Sequence, residues 1–362
     1  MITTYFLYNS ILLFSSFFAF CGEKVNSKKE EYLCRILVFM ILWIPASLRY
    51  GIGTDYFSYK SIYDHLNWYT DELEIGYIWL NMLFNSFTSE HEYLFSTVAA
   101  ITYAPICFGM PKKGYSILVI FYVLTLYLSS YSMMRQSIAI AYSLYAAIQL
   151  LKGKEKLYFI SIIFGSMFHM SALLLLPCYF LKYIRFNLWL GILITVFGAI
   201  FIAKNNFISM IFESEIFLNS PYGVYASNSF SKETEMGSGL GLIARCVIPI
   251  IIIFLASKIE VYYRQNEKIK NGFIVGLSMA YIFSLIFASQ IHIFNRLVDI
   301  VSFMLILGAG IIYIIHFKYR KIVILFLYVL FLILFEHSIY TFQYSMGSGL
   351  GISPYKSIFY KQ

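Results

Sequence analysis

The sequence is poor in charged residues. Only 13% of its 362 residues are Asp, Glu, Lys or Arg, whereas a soluble globular chain carries about 25%. The polar surface that a water-soluble fold needs is therefore missing, while 60% of the residues are hydrophobic. A lipid bilayer suits this composition, because apolar side chains face hydrocarbon there. The sequence predicts an all-α, polytopic transmembrane helical bundle that forms a single membrane domain over residues 1–362.

Patterns for metal or redox chemistry are also lacking. The five cysteines are scattered without a C-x-x-C pair, as small buried residues are, and the six histidines are dispersed. The sequence has no D-x-D motif and no Walker-type glycine loop, which disfavours nucleotide hydrolysis. No metal ion or other cofactor is predicted. The first apolar run lacks a basic segment before it, and the large Phe20 precedes Cys21, so a retained first helix is predicted rather than a cleaved signal peptide.

Long apolar runs divide the sequence into candidate membrane helices. A span needs roughly 20 mostly apolar residues. The runs that meet this criterion are 4–20, 33–48, 93–110, 115–132, 134–151, 157–181, 187–203, 239–257, 272–290, 294–316 and 320–340. The segments 75–88 and 207–218 are too short or too polar, and they are expected to be re-entrant or to lie in the membrane interface. The prediction is a bundle of about 11–13 helices.

The basic residues are placed as topology signals. The formal net charge is +8, but Lys and Arg cluster in short loops between apolar runs, unlike a nucleic-acid-binding surface. The loops predicted to be cytoplasmic are 21–32, 111–114, 152–156, 257–272 and 316–321. The segments then predicted to form the functional outer face are the loops 49–92 and 204–238 and the tail 341–362. The predicted loops alternate between the two sides of the membrane only if 182–218 contains an extra crossing or a re-entrant piece.

Arginines at the outer ends of predicted helices break the positive-inside pattern. They are Arg49, Arg135, Arg245 and Arg296. An Arg at membrane depth costs at least about 2.5 kcal/mol, so these side chains are expected to face the bundle interior and meet an anion. Internal ion pairs of Arg49 with Asp55 or Arg296 with Asp299 are one solution. Because Asp55 and Asp299 are the only clear carboxylates at comparable depth, the imbalance favours phosphate, which a guanidinium binds in a two-pronged fork.

Two histidines have positions that suggest a site. His169 lies in the apolar run 157–181 beside small residues, and a membrane histidine can relay a proton or hydrogen-bond a sugar hydroxyl. His292, Arg296 and Asp299 are spaced as one stripe of a helix, which suits a relay or the wall of an anion site. A plain hydrogen bond to a neighbouring helix is the alternative for both patterns.

The outer segment RYGIGTDYFSY, residues 49–59, holds a candidate base. Asp55 can take a proton from a hydroxyl nucleophile, or it can cap its own turn. Tyr56 and Tyr59 offer flat faces of the kind on which sugars stack. On the predicted helix 134–151, Tyr142 shares a stripe with Arg135.

Several motifs occur in a fixed order along the chain. They are R-x-G-x-G-T-D-Y-x-x-Y (Arg49 to Tyr59), RQSIA (Arg135 to Ala139), FH-x-S-A (Phe168 to Ala172), FNRLVDI (Phe294 to Ile300) and SPYKSIF (353–359). Together they resemble the EpsG family of Wzy-type polysaccharide polymerases of bacteria, over nearly the whole chain. The resemblance implies a glycosyltransferase C-like bundle, in which a loop after an early helix carries an acidic catalytic residue. Asp55 matches that residue by position.

The resemblance also implies a reaction. Repeat units of capsule, exopolysaccharide or O-antigen would be joined at the outer face of the bacterial cytoplasmic membrane, with undecaprenyl diphosphate as leaving group and no metal. The implied partners are lipid-linked oligosaccharide donor and acceptor, membrane lipid and a chain-length regulator, and no nucleic acid. The catalytic candidates are Asp55, His169 and Arg135. The substrate-binding candidates are Arg49, Tyr56, Tyr59, Gln136, Tyr142, Arg245, His292 and Arg296.

Other functions fit parts of the sequence. A lipid-oligosaccharide flippase or transporter also needs arginines, but it should place charges near the midplane and show related halves. A membrane acyltransferase that modifies polysaccharide would use a histidine–acid pair, which His169 allows. In a purely structural subunit the arginines would only form salt bridges. The sugars, the linkage, inversion or retention, the oligomeric state and the choice of Asp55 or His169 as base stay open.

Overall fold

The computed structural model describes residues 2–204, 214–215, 239–263, 270–290, 294–341 and 350–360. Over these ranges the chain forms fifteen α-helices, short 3₁₀ and π segments, and no β-strand. The predicted all-α architecture is therefore confirmed.

The helices follow the apolar runs of the sequence. The first eight are α1 (Ile2–Lys24), α2 (Lys28–Ser47), α3 (Tyr56–Asp64), α4 (Ile75–Asn85), α5 (His91–Phe108), α6 (Tyr115–Tyr122), α7 (Met134–Leu151) and α8 (Glu155–Ser166). The others are α9 (Leu188–Lys204), α10 (Leu240–Phe254), α11 (Ala256–Tyr263), α12 (Gly272–Gln290), α13 (Asn295–Val301), α14 (Phe303–Ile314) and α15 (Arg320–Thr341).

Fewer helices than expected can cross a membrane on their own. Among the described residues, the four that are long and apolar enough are Ile2–Lys24, Gly272–Gln290, Asn295–Ile314 and Arg320–Tyr340. The pair α10 and α11, bent by 58°, is a fifth if it forms one span. The remaining expected spans are shorter, more polar or interrupted, so hydropathy alone does not identify them.

The expected span 157–181 is not one helix. Helix α8 ends at Ser166, and the chain continues through 3₁₀ turns at Met170–Leu175 and Pro177–Tyr183. The break is stabilised locally, because the His169 side chain accepts a hydrogen bond from the Ser171 N–H and so caps the new turn. His169 therefore lies in irregular backbone, where its ring and the freed peptide groups can both form polar contacts.

The chain divides into two compact units, and the single membrane domain stays a prediction. The first comprises Met1–Leu176 and Ala309–Gln362, and the second comprises Pro177–Gly308. In the first unit α7 packs on α8 and α5, and α2 packs on α1 and α5.

One end of the first unit collects the basic loops. The Arg35 guanidinium donates to the carbonyl oxygens of Cys107 (2.8 Å) and Met110 (3.1 Å), and the Glu23 carboxylate accepts from the Gly114 N–H (3.0 Å). Helix α2 then runs about 30 Å, at 1.5 Å per residue, towards the opposite end. The loops 21–32 and 111–114 thus lie on one side, as the charge pattern predicts.

Helix α4 has an exposed apolar face. Ile75, Trp79 and Met82 are each more than half exposed, whereas Tyr77 and Asn81 are buried. The helix has 11 residues, far fewer than the roughly 20 that a span requires. A short helix with a tryptophan on its apolar face is typical of the membrane interface. Of the two placements expected for 75–88, the interfacial one therefore fits.

In the second unit, Asn271 joins three segments. Its amide nitrogen donates to the carbonyl oxygens of Phe186 (2.6 Å) and Ala256 (2.9 Å), and its amide oxygen accepts from the Phe186 N–H (2.9 Å). The residue is 0% exposed.

Replacing Asn271 by Ala should lower the free energy of unfolding by about 2–4 kcal/mol, because buried backbone groups lose their partners. Thermal unfolding of the purified protein measures this change. The exposed Asn187, whose oxygen caps the Leu190 N–H (2.8 Å), is the matched control. Its replacement by Ala should cost about 1 kcal/mol. Equal losses for both variants would contradict the buried network.

Candidate functional site

The Asp55 loop, residues 48–55, lies tightly against residues 131–132, just before α7. Gly53 has φ of 103°, and a Cβ on it would be 2.4 Å from the Tyr131 carbonyl oxygen. The Thr54 N–H donates to the Ser132 Oγ (3.1 Å). Because only glycine combines this φ with such close backbone contact, Gly53 fixes the position of the loop relative to α7.

The closing segment, residues 350–358, packs on the same loop. The Tyr50 N–H donates to the Lys356 carbonyl oxygen (2.9 Å), and the Gly53 N–H donates to the Gly351 carbonyl oxygen (2.8 Å). These bonds resemble a strand pairing, although they involve only a few residues. The Ser132 hydroxyl also donates to the Leu350 carbonyl oxygen (2.8 Å). The last motif of the sequence therefore has a structural role, since it helps to hold the Asp55 loop in place.

Asp55 precedes α3, and its side chain is exposed. It makes no side-chain capping hydrogen bond, so the alternative of a turn-capping aspartate is not supported. The backbone around it is fixed by the contacts described above. A carboxylate on such a loop is accessible to a hydroxyl group from solvent or substrate.

Arg49 is buried, contrary to the expectation that it binds substrate directly. Its guanidinium donates to the carbonyl oxygens of Ala46 (2.7 Å) and Tyr131 (3.4 Å). It also lies 4.8 Å from the centre of the Tyr131 ring, a cation–π contact. Among the described residues no carboxylate pairs with Arg49, so the expected ion pair with Asp55 is not formed. Arg49 instead anchors the start of the Asp55 loop.

Arg135 forms an ion pair that the sequence does not predict. Its Nη1 donates to Oε2 of Glu74, and both side chains are only partly buried. The other carboxylate oxygen of Glu74 accepts from the Met170 N–H (3.2 Å). Asp55 and Asp299 are thus not the only carboxylates beside these arginines. Glu74 connects α4, the start of α7 and the break that contains His169.

Tyr59 lies beside both Arg135 and Asp55, and it interacts with Arg135 through a hydrogen bond. Burial raises the pKa of Tyr59 above its ordinary value, so the hydroxyl is neutral at physiological pH. Tyr77, fully buried, places its ring 5.8 Å from the Arg135 guanidinium. The rings of Tyr59 and Tyr77 form a wall that orients Arg135. Because Tyr59 is buried, its ring does not offer the open face on which a sugar was expected to stack.

His169 accepts a hydrogen bond at Nδ1 from the Ser171 N–H (3.3 Å), and the Ser171 hydroxyl is 2.7 Å from the same nitrogen. A backbone N–H can only donate, so these contacts assign the neutral ring proton to Nε2. His169 in this tautomer is a hydrogen-bond donor at Nε2. Its peptide neighbour Met170 contacts Glu74, so His169 lies next to the Arg135 ion pair.

Tyr56 belongs to a buried polar cluster that the sequence does not reveal. Its hydroxyl and the His91 Nε2 are 3.0 Å apart, and the His91 Nδ1 lies 3.4 Å from a Glu92 carboxylate oxygen. Tyr56 is 0% exposed and makes edge-to-face contacts with His91 and Phe95. Its ring therefore does not offer the open stacking face that was expected. The cluster ties the start of α3 to α5 and supports Asp55.

Two further candidates lie on α7. Gln136 is buried next to Arg135. Tyr142 packs against Phe164 of α8, with ring centres 4.5 Å apart. The contact between Tyr142 and Phe164 joins two helices, which favours a packing role for this tyrosine over substrate binding.

The candidates in the second unit form their own group. Asp299 of α13 interacts electrostatically with Arg245 of α10 and Arg296 of α13. Both arginine side chains are exposed. His292 lies outside the described residues. Within the described part of the chain, no group of three or more His, Cys, Asp or Glu side chains is arranged to hold a metal ion.

The structure therefore brings Asp55, Arg135 and His169 to the same end of the first unit, through Tyr59 and Glu74. The basic cytoplasmic-type loops lie at the other end. An exposed carboxylate and a partly exposed guanidinium at the same end of the unit can deprotonate a hydroxyl and stabilise an anionic leaving group.

Helices of membrane length and a polar cluster at one end define a multi-pass membrane protein. The chain belongs to the EpsG family, whose family model matches residues 32–357, nearly the whole chain. This is the Wzy-type polymerase-like family, so the chain is a polysaccharide polymerase-like membrane protein. No curated protein and no solved structure matches it significantly.

Proposed function

We propose that this protein joins oligosaccharide repeat units linked to undecaprenyl diphosphate at the outer face of the bacterial cytoplasmic membrane. The observation that carries the proposal is the placement of the Arg135 guanidinium next to Tyr59, one helical turn after Asp55. Arg135 supplies positive charge for a diphosphate leaving group, and Asp55 supplies a base for a sugar hydroxyl. The family membership supports the same reaction class.

In the proposed reaction the acceptor hydroxyl gives its proton to the Asp55 carboxylate. The resulting oxygen forms a bond to the anomeric carbon of the donor glycan, and the bond from that carbon to the diphosphate oxygen breaks. The electron pair stays on undecaprenyl diphosphate, whose charge Arg135 stabilises. His169 carries its proton on Nε2, which suits a hydrogen-bond donor better than a base, so Asp55 is the proposed base.

Cells that lack the gene test this proposal when they are complemented with wild type or variants. Asp55→Asn should leave single repeat units at the cell surface without a polymer ladder, because the base is lost. A gel of lipid-linked and surface glycan measures this. Asp64→Asn at the end of α3, where Asp64 forms an exposed pair with Lys60, is the matched control and should restore the ladder.

Three outcomes would contradict the proposal. If repeat units accumulated inside the deletion strain and none reached the surface, the protein would act as a flippase. If the deletion strain kept a normal ladder, neither polymerisation nor flipping would depend on this protein. Loss of an acyl substituent from a ladder of normal length would identify an acyltransferase.

A further inference from the structure

The ion pair between Arg135 and Glu74 is open to exchange. The side chains are 22% and 15% exposed, respectively. Glu74 uses one oxygen for Arg135 and the other for the Met170 N–H. A carboxylate that gives both oxygens to a guanidinium forms the stronger, two-pronged pair. The contact seen here is single, so Glu74 occupies Arg135 without the full strength of that arrangement.

The pair lies where lipid headgroups lie. Glu74 immediately precedes α4, and the exposed face of α4 carries Ile75, Trp79 and Met82. A tryptophan among exposed apolar side chains marks the boundary between headgroups and hydrocarbon. Anionic phospholipids place phosphodiester groups at this boundary, each with a single negative charge. A guanidinium without a partner at this boundary would bind the phosphate of an ordinary phospholipid.

Charge decides which ligand can replace Glu74. A phosphodiester brings one negative charge, as Glu74 does, and it would leave the Glu74 carboxylate without its partner in a partly buried position. A diphosphate also leaves Glu74 unpaired, and both ligands can form the two-pronged contact with a guanidinium. The diphosphate, however, brings more than one negative charge, so its attraction to Arg135 exceeds that of Glu74. Exchange is therefore favourable for the diphosphate and not for the phosphodiester.

We propose that Glu74 makes Arg135 selective for diphosphate lipids over the phosphodiester lipids of the surrounding membrane. This inference rests on the proposed function, in which Arg135 binds the lipid diphosphate. Glu74 acts as a specificity-determining residue that does not contact the reacting atoms. Its second bond, to Met170, keeps the carboxylate close when the diphosphate leaves, so Arg135 is covered again before the next cycle.

Binding to nanodiscs tests the inference. The purified full chain would be placed in nanodiscs of phosphatidylcholine alone or with half phosphatidylglycerol, and undecaprenyl diphosphate would be titrated as the probe. Wild type should show the same affinity in both membranes. Glu74→Gln should lose about tenfold in affinity when phosphatidylglycerol is present, equivalent to about 1.4 kcal/mol. Glu72→Gln, an exposed glutamate two residues earlier, should behave as wild type.

A second variant separates selectivity from folding. Glu74→Asp keeps the charge and should keep wild-type tolerance of phosphatidylglycerol, whereas a role in folding alone would make both Glu74 variants equally unstable in thermal unfolding. Equal inhibition of wild type and Glu74→Gln by phosphatidylglycerol would overturn the inference, even if Arg135 is needed for binding. If Arg135→Ala bound undecaprenyl diphosphate as well as wild type, the proposed function itself would fail.

Discussion

Replacing Arg135 by Ala is expected to abolish the polymer ladder and to leave single repeat units at the cell surface. The guanidinium is partly exposed and lies next to Tyr59, one helical turn after Asp55, so in the proposed reaction its loss removes stabilisation of charge on the leaving diphosphate. Removing one such donor typically lowers the rate by about 10²–10³. The rate of chain growth, measured from ladder length against time, would report the effect.

Two arginine variants control this experiment. Arg135→Lys keeps the charge without the planar fork, and it should give a short ladder between those of Ala and wild type. Arg185 pairs with Glu260 at 2.8 Å, but its side chain is 63% exposed, and such pairs contribute only about 0–1 kcal/mol. Arg185→Ala should therefore keep the full ladder. If Arg135→Ala gave a normal ladder, Arg135 would be only a structural partner of Glu74 and would not act in the reaction.

Replacing Gly53 by Ala is expected to remove activity without changing any polar side chain. A Cβ would lie 2.4 Å from the Tyr131 carbonyl oxygen, and φ of 103° is unfavourable for alanine. The loop must then move away from α7, which displaces Asp55. We expect a loss of about 1–3 kcal/mol in the free energy of unfolding from backbone strain alone, together with loss of the ladder. Thermal unfolding and the glycan gel measure the two effects.

Gly241 is the matched glycine. It lies near the start of α10, and its φ is not in the positive range that disfavours other residues. A Cβ added to it would have no atom within 4 Å. Alanine there should be neutral or stabilising by up to about 1 kcal/mol, since alanine favours helices. If Gly53→Ala were as harmless as Gly241→Ala, the position of the Asp55 loop would not depend on this contact.

Many helices, including their first and last residues, could be predicted from the sequence. The runs 134–151 and 272–290 coincide with α7 and α12, and 320–340 differs from α15 by one residue. Long apolar runs bounded by polar or basic residues leave few alternatives to a helix. The break in 157–181 could not be predicted, because its residues are as apolar as those of an uninterrupted span. It depends on tertiary contacts, such as that of the Gly76 N–H with the Met167 carbonyl oxygen (2.8 Å).

The site was predicted only in part. The structure places Asp55, Arg135 and His169, whose motifs indicate the proposed chemistry, at one end of the first unit. Their roles stay predictions. Glu74 was missed because it follows Asp71 and Glu72 in a stretch that looks like a solvated loop. Its position directly before the apolar segment 75–88 was the available signal.

Arg49 and Tyr56 show a different limit of the sequence. Both belong to the motif that carries Asp55, but they are 3% and 0% exposed. A motif records which residues lie close together along the chain, not which of them point inward. Burial is decided by partners far away in sequence, here Tyr131 for Arg49 and His91 for Tyr56.

The closing segment makes the position of the Asp55 loop depend on residues that are far away in the sequence. It also reaches α1, where the Tyr8 hydroxyl donates to the Ile352 carbonyl oxygen (2.8 Å) across 344 positions of sequence. During synthesis the Asp55 loop is made early, but its hydrogen bonds to this segment can form only after all the intervening residues have been translated. A polypeptide released prematurely by the ribosome would carry every proposed catalytic residue and yet lack the support of its base.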